Sequence, residues 1–215
     1  MVLFGKTGNG KSATGNTILG EKVFEVSSSA SSVTAECQYG SRRDGREIHV
    51  IDTPGVLDTT ATSVLKTFNL TRYADHQKGI LKEVSKIFAM APFGFDAVIL
   101  VVKYGSRFTM EDAQALKMLE ALLEEDAKGH MILLLTHGDQ AEYEAEEERI
   151  SIDQRVSQWL KTLPSWVQNF INEIGNRVVL INNTVRPQKD QEAYGKQLIK
   201  LIQVRKREYR ALATT

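Results

Sequence analysis

Five short apolar runs punctuate the chain: Val2 to Phe4, Ile48 to Ile51, Ala97 to Val102, Met131 to Leu135 and Val178 to Ile181. Apart from His49 in the second, they hold no polar residue, which predicts buried strands. Most of the intervals carry helical spacing. A helix is expected from Lys11 to Leu19, and another from Glu111 to Glu125, where Ala113, Leu116, Leu119 and Leu123 recur at three- and four-residue steps behind a Thr109 cap. Between Gln140 and Gly175 an acidic run, Glu142 to Glu148, reads as a solvated helix face. Ile152, Val156, Trp159, Leu160 and Leu163 follow, then a break at Pro164, then Trp166, Val167, Phe170, Ile171 and Ile174, with the aromatics placed in the core. A last helix from about Asp190 ends in the charged stretch Arg205 to Arg210, expected on a solvated face. Arg43-Asp44-Gly45-Arg46 looks like a hairpin turn that pairs a strand over Thr34 to Ser41 antiparallel with the one ending at Ile51. The expected architecture is a three-layer α/β domain: a mostly parallel sheet with one antiparallel edge strand and helices on both faces.

A length of 215 residues suits one such domain, spanning 1–215. Because only three residues separate Met1 from the first glycine-rich loop, the expectation is a domain excised from a longer chain. Lys plus Arg and Asp plus Glu both number 27, so the formal net charge is zero and nothing favours nucleic acid as a partner. The single cysteine, Cys37, fits a reducing compartment as a small buried residue, and the expected location is cytoplasmic.

The chemistry is carried by words that follow the strands. Gly5-Lys6-Thr7-Gly8-Asn9-Gly10-Lys11-Ser12 fits the phosphate-cradling pattern G-x-x-x-x-G-K-[ST] between the first run and the first helix. Backbone groups of Gly8, Asn9, Gly10, Lys11, Ser12 and Ala13 are the phosphate binders. There the helix N-terminus adds positive potential, the Lys11 ammonium neutralises the terminal phosphates, and the Ser12 hydroxyl is a ligand for Mg²⁺. Asp52-Thr53-Pro54-Gly55 comes one strand later, where Asp52 can hold a Mg²⁺-bound water and the Gly55 N–H can meet the terminal phosphate. Thr34, between the phosphate loop and the second strand, is the candidate for a further hydroxyl on the ion. Thr136-His137-Gly138-Asp139 stands where guanine readers carry [NT]-K-x-D. The Asp139 carboxylate can accept from guanine N1 and N2, which adenine cannot supply, and the His137 imidazole can stack where a lysine stem usually lies. Asn182 and Asn183 follow the last strand, and either can offer a backbone or amide group to the guanine O6 edge.

Taken together, the chain resembles the immune-associated GTP-binding family, the GIMAP or avirulence-induced-gene type, itself similar to septins and chloroplast-import receptor GTPases. The resemblance rests on Gly5 to Asn16, on Ser32-Val33-Thr34-x-x-Cys37, on Asp52-Thr53-Pro54-Gly55-Val56-Leu57-Asp58-Thr59, and on the block Ala97 to Val102 followed by Arg107-Phe108-Thr109-x-Glu111-Asp112. It implies a GTP-controlled switch that self-associates through its nucleotide face, often at intracellular membranes. Two features depart from the family pattern. Members often carry a Thr-Arg-Lys-Glu type motif where this chain has Thr136-His137-Gly138-Asp139, and no anchor follows Arg205, so any membrane association is expected to come from other segments.

In Ras-type enzymes a Gln that orients the attacking water follows the Asp-x-x-Gly motif, and here that position is Val56. The expectation is slow hydrolysis of GTP to GDP and phosphate, in which Lys11, Thr34 and Gly55 act on the reacting phosphate. A group supplied in trans, with His76, Arg72 and Arg107 as candidates, would accelerate it. The alternative is a scaffold that binds GTP without turnover and whose output is assembly.

Overall fold

The computed structural model describes residues 1–26, 36–43, 47–55, 85–92, 94–108, 116, 125–184 and 193–202. Their strands β1 (Val2–Phe4), β2 (Gln38–Arg43), β3 (Glu47–Asp52), β4 (Val98–Lys103), β5 (Met131–Thr136) and β6 (Val178–Leu180) form one sheet in the order β2-β3-β1-β4-β5-β6. Only β2 and β3 pair antiparallel. Around the sheet lie α1 (Lys11–Leu19), α2 (Gly138–Glu148), α3 (Ile152–Lys161), α4 (Ser165–Glu173) and a helix over 193–202. Among the described residues no helix is long and apolar enough to cross a membrane.

Both faces of the sheet are covered at its central strands, which is why the runs in β1, β4 and β5 do not alternate, whereas β2 and the start of β3 are exposed. Val2, Leu100, Val102, Leu133 and Leu135 face Trp159, Phe170 and Leu116 on one side. Their chain neighbours Leu3, Ile99, Val101, Ile132 and Leu134 face Ile18 and Leu19 of α1, with Leu198 and Ile202 of the last helix, on the other. The two-residue period of a strand sends successive side chains into separate cores. Trp159 and Phe170 are buried, so these aromatics are core residues as the spacing predicts. Ser151 opens α3 with a reciprocal cap: its hydroxyl accepts from the Gln154 N–H at 3.2 Å while the Gln154 side chain accepts from the Ser151 N–H at 3.0 Å. Pro164, which has no N–H to lose, stands at the head of α4.

One expected element is corrected. The edge strand begins at Gln38 rather than Thr34 and runs to Arg43, with Glu36 and Cys37 irregular. The cause lies in its partner: Gln38 pairs with Asp52, the last residue of β3, so Glu36 and Cys37 have no ladder to join, while Thr34 lies outside the described residues. The hairpin turn at residues 44–46 lies outside the described residues. So do the Thr109-capped helix apart from the buried, helical Leu116, the start of the last helix near Asp190, and the charged stretch 205–210.

Because β1, β3, β4, β5 and β6 are parallel, their carboxyl ends share one edge of the sheet. The glycine-rich loop, Asp52 to Gly55, Thr136 to Asp139 and Asn182-Asn183 all emerge there, the edge at which open α/β sheets bind ligands.

Candidate functional site

The glycine-rich loop wraps around its own lysine. Buried Lys11 donates from Nζ to the carbonyls of Gly5 and Lys6, each at 3.0 Å, which keeps the ammonium at the mouth of the loop. Gly10 caps α1 in the left-handed conformation, at φ 88°, and the first turn of that helix carries Lys11, Ser12 and Ala13. Exposed Gly8, at φ 80°, and half-buried Asn9 form the tip of the loop. Asn9 donates its side-chain amide to the Val101 carbonyl at 2.9 Å, fastening the tip to β4.

Gly5 makes that approach possible. At φ 151° a Cβ on Gly5 would stand 2.3 Å from the same Val101 oxygen, a backbone atom that cannot swing away. Gly5→Ala is therefore expected to destabilise the fold by about 2–3 kcal/mol, as overpacking against backbone does. A denaturant midpoint indistinguishable from that of the unaltered protein would show that the loop and β4 separate freely.

Ser12 and Asp52 meet directly, the Ser12 hydroxyl donating to Asp52 Oδ2 at 2.6 Å. Asp52 is fully buried at the end of β3, and Thr53 beside it donates to the Leu3 carbonyl at 2.7 Å, clamping this turn to β1. A serine hydroxyl next to a carboxylate is an oxygen donor set that suits Mg²⁺. Among the described residues no cluster of three or more His, Cys, Asp or Glu could hold a metal unaided. An ion here would thus be shared with phosphate oxygens, the usual arrangement for Mg²⁺. Gly55 is half-buried at the end of the same turn. Thr34, Val56, Arg72 and His76 lie outside the described residues, and Arg107 is exposed beyond the end of β4.

The base-reading words are bonded to the same loop. Thr136 donates from Oγ1 to the Asn9 carbonyl at 2.9 Å. With its single proton committed there, the hydroxyl accepts from His137 Nδ1, 3.0 Å away, and this selects the tautomer with Nε2 unprotonated. His137 holds a left-handed backbone at φ 59° ahead of α2. Burial, then Lys103, keep its pKa below the ordinary histidine value, with Asp139 opposing. Asp139 is exposed in the first turn of α2, where the helix dipole favours a carboxylate. The Gly138 N–H donates to the Ile181 carbonyl at 3.1 Å, joining this turn to the chain after β6.

Asn183 faces α1: its Nδ2 donates to Thr14 Oγ1 at 3.1 Å and its Oδ1 accepts from Thr17 Oγ1 at 2.8 Å. Asn182 is buried, donating to Glu142 Oε2 at 3.0 Å and accepting from the Thr184 N–H and hydroxyl at 3.0 and 2.7 Å. The amides of both residues are thus engaged within the protein. Thr17 and Glu142 are participants that no motif marks, and Thr14 and Thr136 lie in marked segments without having been given a role. The spacing of Thr14 and Thr17 with Ile18, three and four residues apart on one face of α1, is a sequence signal that could have pointed to the two threonines.

The sheet order, the loop and the Ser12–Asp52 pair define a P-loop GTPase fold. The AIG1 family model matches residues 1–211, and the chain belongs to the AIG1 family. It is 31% identical over 206 residues, 94% of its length, to immune-associated nucleotide-binding protein 7 of Arabidopsis thaliana. It spans 59% of that relative's own length. Among solved structures it is similar to Toc33 from Arabidopsis thaliana in complex with GDP and Mg²⁺, with a TM-score of 0.58 and 24% identity, covering 86% of this chain and 70% of that one. A further structure, with a TM-score of 0.61 and 21% identity over 95% of this chain and 81% of that one, comes from work on atToc33 and psToc159. It describes dimerisation as important for the GTPase activity of those chloroplast translocon components.

Proposed function

We propose that this domain is a guanine-nucleotide switch that binds GTP or GDP with Mg²⁺, hydrolyses GTP slowly and self-associates when GTP is bound. One observation carries the reading. Lys11, Ser12 and Asp52 stand at the mouth of the phosphate loop, and the Thr136 hydroxyl joins that loop at 2.9 Å to the segment that presents Asp139. Phosphate and base would thus be held by one continuous hydrogen-bonded frame.

In this reading the loop backbone from Gly8 to Ala13 and the Lys11 ammonium hold the phosphates. Ser12 and Thr34 would hold Mg²⁺ with Asp52 behind them, Gly55 would meet the terminal phosphate, and Asp139 with His137 and the Asn182-Asn183 segment would hold the base. When bound, the ion would share with the Lys11 ammonium the neutralisation of phosphate charge. The GDP and Mg²⁺ bound to Toc33 and the AIG1 membership support the ligands, and the dimerisation described for Toc33 supports self-association. A single, buried cysteine, Cys37, is what favours the reducing cytoplasm as the place of work.

A competition titration tests it. GTP should displace a bound fluorescent guanine nucleotide more than tenfold more effectively than ATP, since guanine offers two donors to a carboxylate that adenine cannot match. Chelating Mg²⁺ should weaken GTP more than it weakens free guanosine. ATP that competes within tenfold of GTP would remove the assignment of Asp139 to the base.

A further inference from the structure

We propose that Glu142 is a positioning residue for base recognition, a single carboxylate that holds the two base-reading segments at a fixed separation and ties both to the helix over 193–202. The inference rests on the reading of Asp139 and the Asn182-Asn183 segment as the guanine site, and adds to it.

The need for such a residue follows from the composition of α2. This helix carries Asp139 in its first turn, yet it buries only Gly138, Ala141 and Ala145. Two methyl groups and a glycine remove little apolar surface from water, so packing alone holds the helix loosely against sliding or rotation. Directional bonds must set where Asp139 stands. Half-buried Glu142, three residues on, supplies two of them from one carboxylate: Oε2 accepts from Asn182 Nδ2 at 3.0 Å, and Oε1 accepts from the Tyr194 hydroxyl at 3.1 Å.

Each partner is itself held. The Asn182 amide cannot turn over, because its Oδ1 already accepts from the Thr184 N–H and hydroxyl at 3.0 and 2.7 Å, and an NH₂ group there would face two donors. Tyr194 belongs to a helix pressed against α1: a Cβ on the next residue, Gly195, would lie 2.8 Å from the Thr17 carbonyl oxygen. Thr17 in turn donates from Oγ1 to Asn183 at 2.8 Å. The path therefore closes on itself, from Glu142 through Asn182 and Asn183 to Thr17, across α1 to the last helix, and back through Tyr194. Glu142 joins α2 to this ring by its side chain, beside the backbone bond from Gly138 to the Ile181 carbonyl, which alone does not reach the last helix.

The experiment compares GDP with inosine diphosphate, which lacks the 2-amino group and so reports how well a carboxylate faces that edge. Dissociation constants for both nucleotides are measured by calorimetry on the unaltered chain and on Glu142→Ala, Glu142→Gln and Tyr194→Phe. Loss of the bonds that place Asp139 should cut the preference for GDP about tenfold in Glu142→Ala, the scale of one hydrogen bond. Tyr194→Phe should produce a smaller drop. Glu142→Gln keeps an acceptor for Asn182 and should recover most of the preference. General loosening of the fold would weaken both nucleotides together and leave their ratio unchanged, so the ratio separates positioning from plain stability. A ratio within twofold of the unaltered protein in folded Glu142→Ala overturns the proposal. Should that variant not fold, an unchanged ratio in Tyr194→Phe overturns it. An unaltered chain that does not prefer GDP to inosine diphosphate would instead sink the assignment of Asp139, a distinct failure.

Discussion

Asp139→Asn is expected to weaken GTP binding at least about 100-fold and to strengthen binding of xanthosine triphosphate, turning a guanine site into a xanthine site. Two donors of guanine, N1–H and the 2-amino group, would meet the two oxygens of this carboxylate. The substitution replaces one oxygen with an NH₂ group, so one bond is lost and two donors are set facing each other. At one to three kcal/mol per unsatisfied group, the combined cost of about 3 kcal/mol corresponds to about two orders of magnitude in affinity. Xanthine carries an oxygen where guanine has its amino group, and so accepts from the new amide. The exposed position of Asp139 in the first turn of α2 keeps the effect out of the core, and the fold should survive the change. Titrating both nucleotides against both proteins gives a four-way comparison. Equal losses for GTP and xanthosine triphosphate would point to damage rather than to recognition, and unchanged GTP affinity would move the base elsewhere.

What can be read from the sequence here is whatever is local. Each chemical word is contiguous and follows a strand, and the strands are legible because two-sided burial removes polar alternation from Val98 to Val102 and from Met131 to Leu135. Even the boundary that shifts, at Gln38, does so for a reason outside its own segment, since it depends on where β3 stops. The ties that make one site of separate words have no local mark. Asn183 reaches Thr14 and Thr17 across most of the chain, Thr136 reaches Asn9, and Glu142 reaches Tyr194. In an acidic run such as Glu142 to Glu148, nothing in composition distinguishes the solvated Glu146 and Glu147 from the two carboxylates that bond inward. Glu144 is the second of these. It accepts from buried Tyr104 at 2.8 Å and from Arg155 at 2.8 Å, and burial followed by that carboxylate pushes the Tyr104 pKa up to about 12. Only the fold reveals that alternate carboxylates of one helix face a tyrosine on either side.

The specific activity of GTP hydrolysis by this domain is expected to rise with protein concentration, and Arg107→Ala is expected to abolish that rise while leaving GTP affinity within a few-fold. Lys11, Mg²⁺ and the loop backbone can meet charge developing on the departing phosphate, but a water in line with it also needs a polar partner. Val56, in place of the Gln found in Ras-type enzymes, has no hydrogen-bonding group to give. Arg107 is exposed beyond the carboxyl end of β4, the strand whose Val101 carbonyl anchors the phosphate loop through Asn9. It therefore lies on the edge of the sheet that a second copy would cover if two domains met across their nucleotides. A guanidinium supplied in trans is worth three to five orders of magnitude in dedicated activator complexes, and loss of a single charge-stabilising donor costs about 10²-fold or more in rate. The variant should thus fall about 10²-fold at concentrations where the unaltered protein dimerises with a GTP analogue, and match it at high dilution. Single-turnover phosphate release, followed across a range of concentrations alongside light scattering, measures both. A readily measurable rate that stays flat in a protein remaining monomeric with the analogue would reject the dimer mechanism. GTP-dependent assembly with no phosphate release at any concentration would establish the scaffold reading instead.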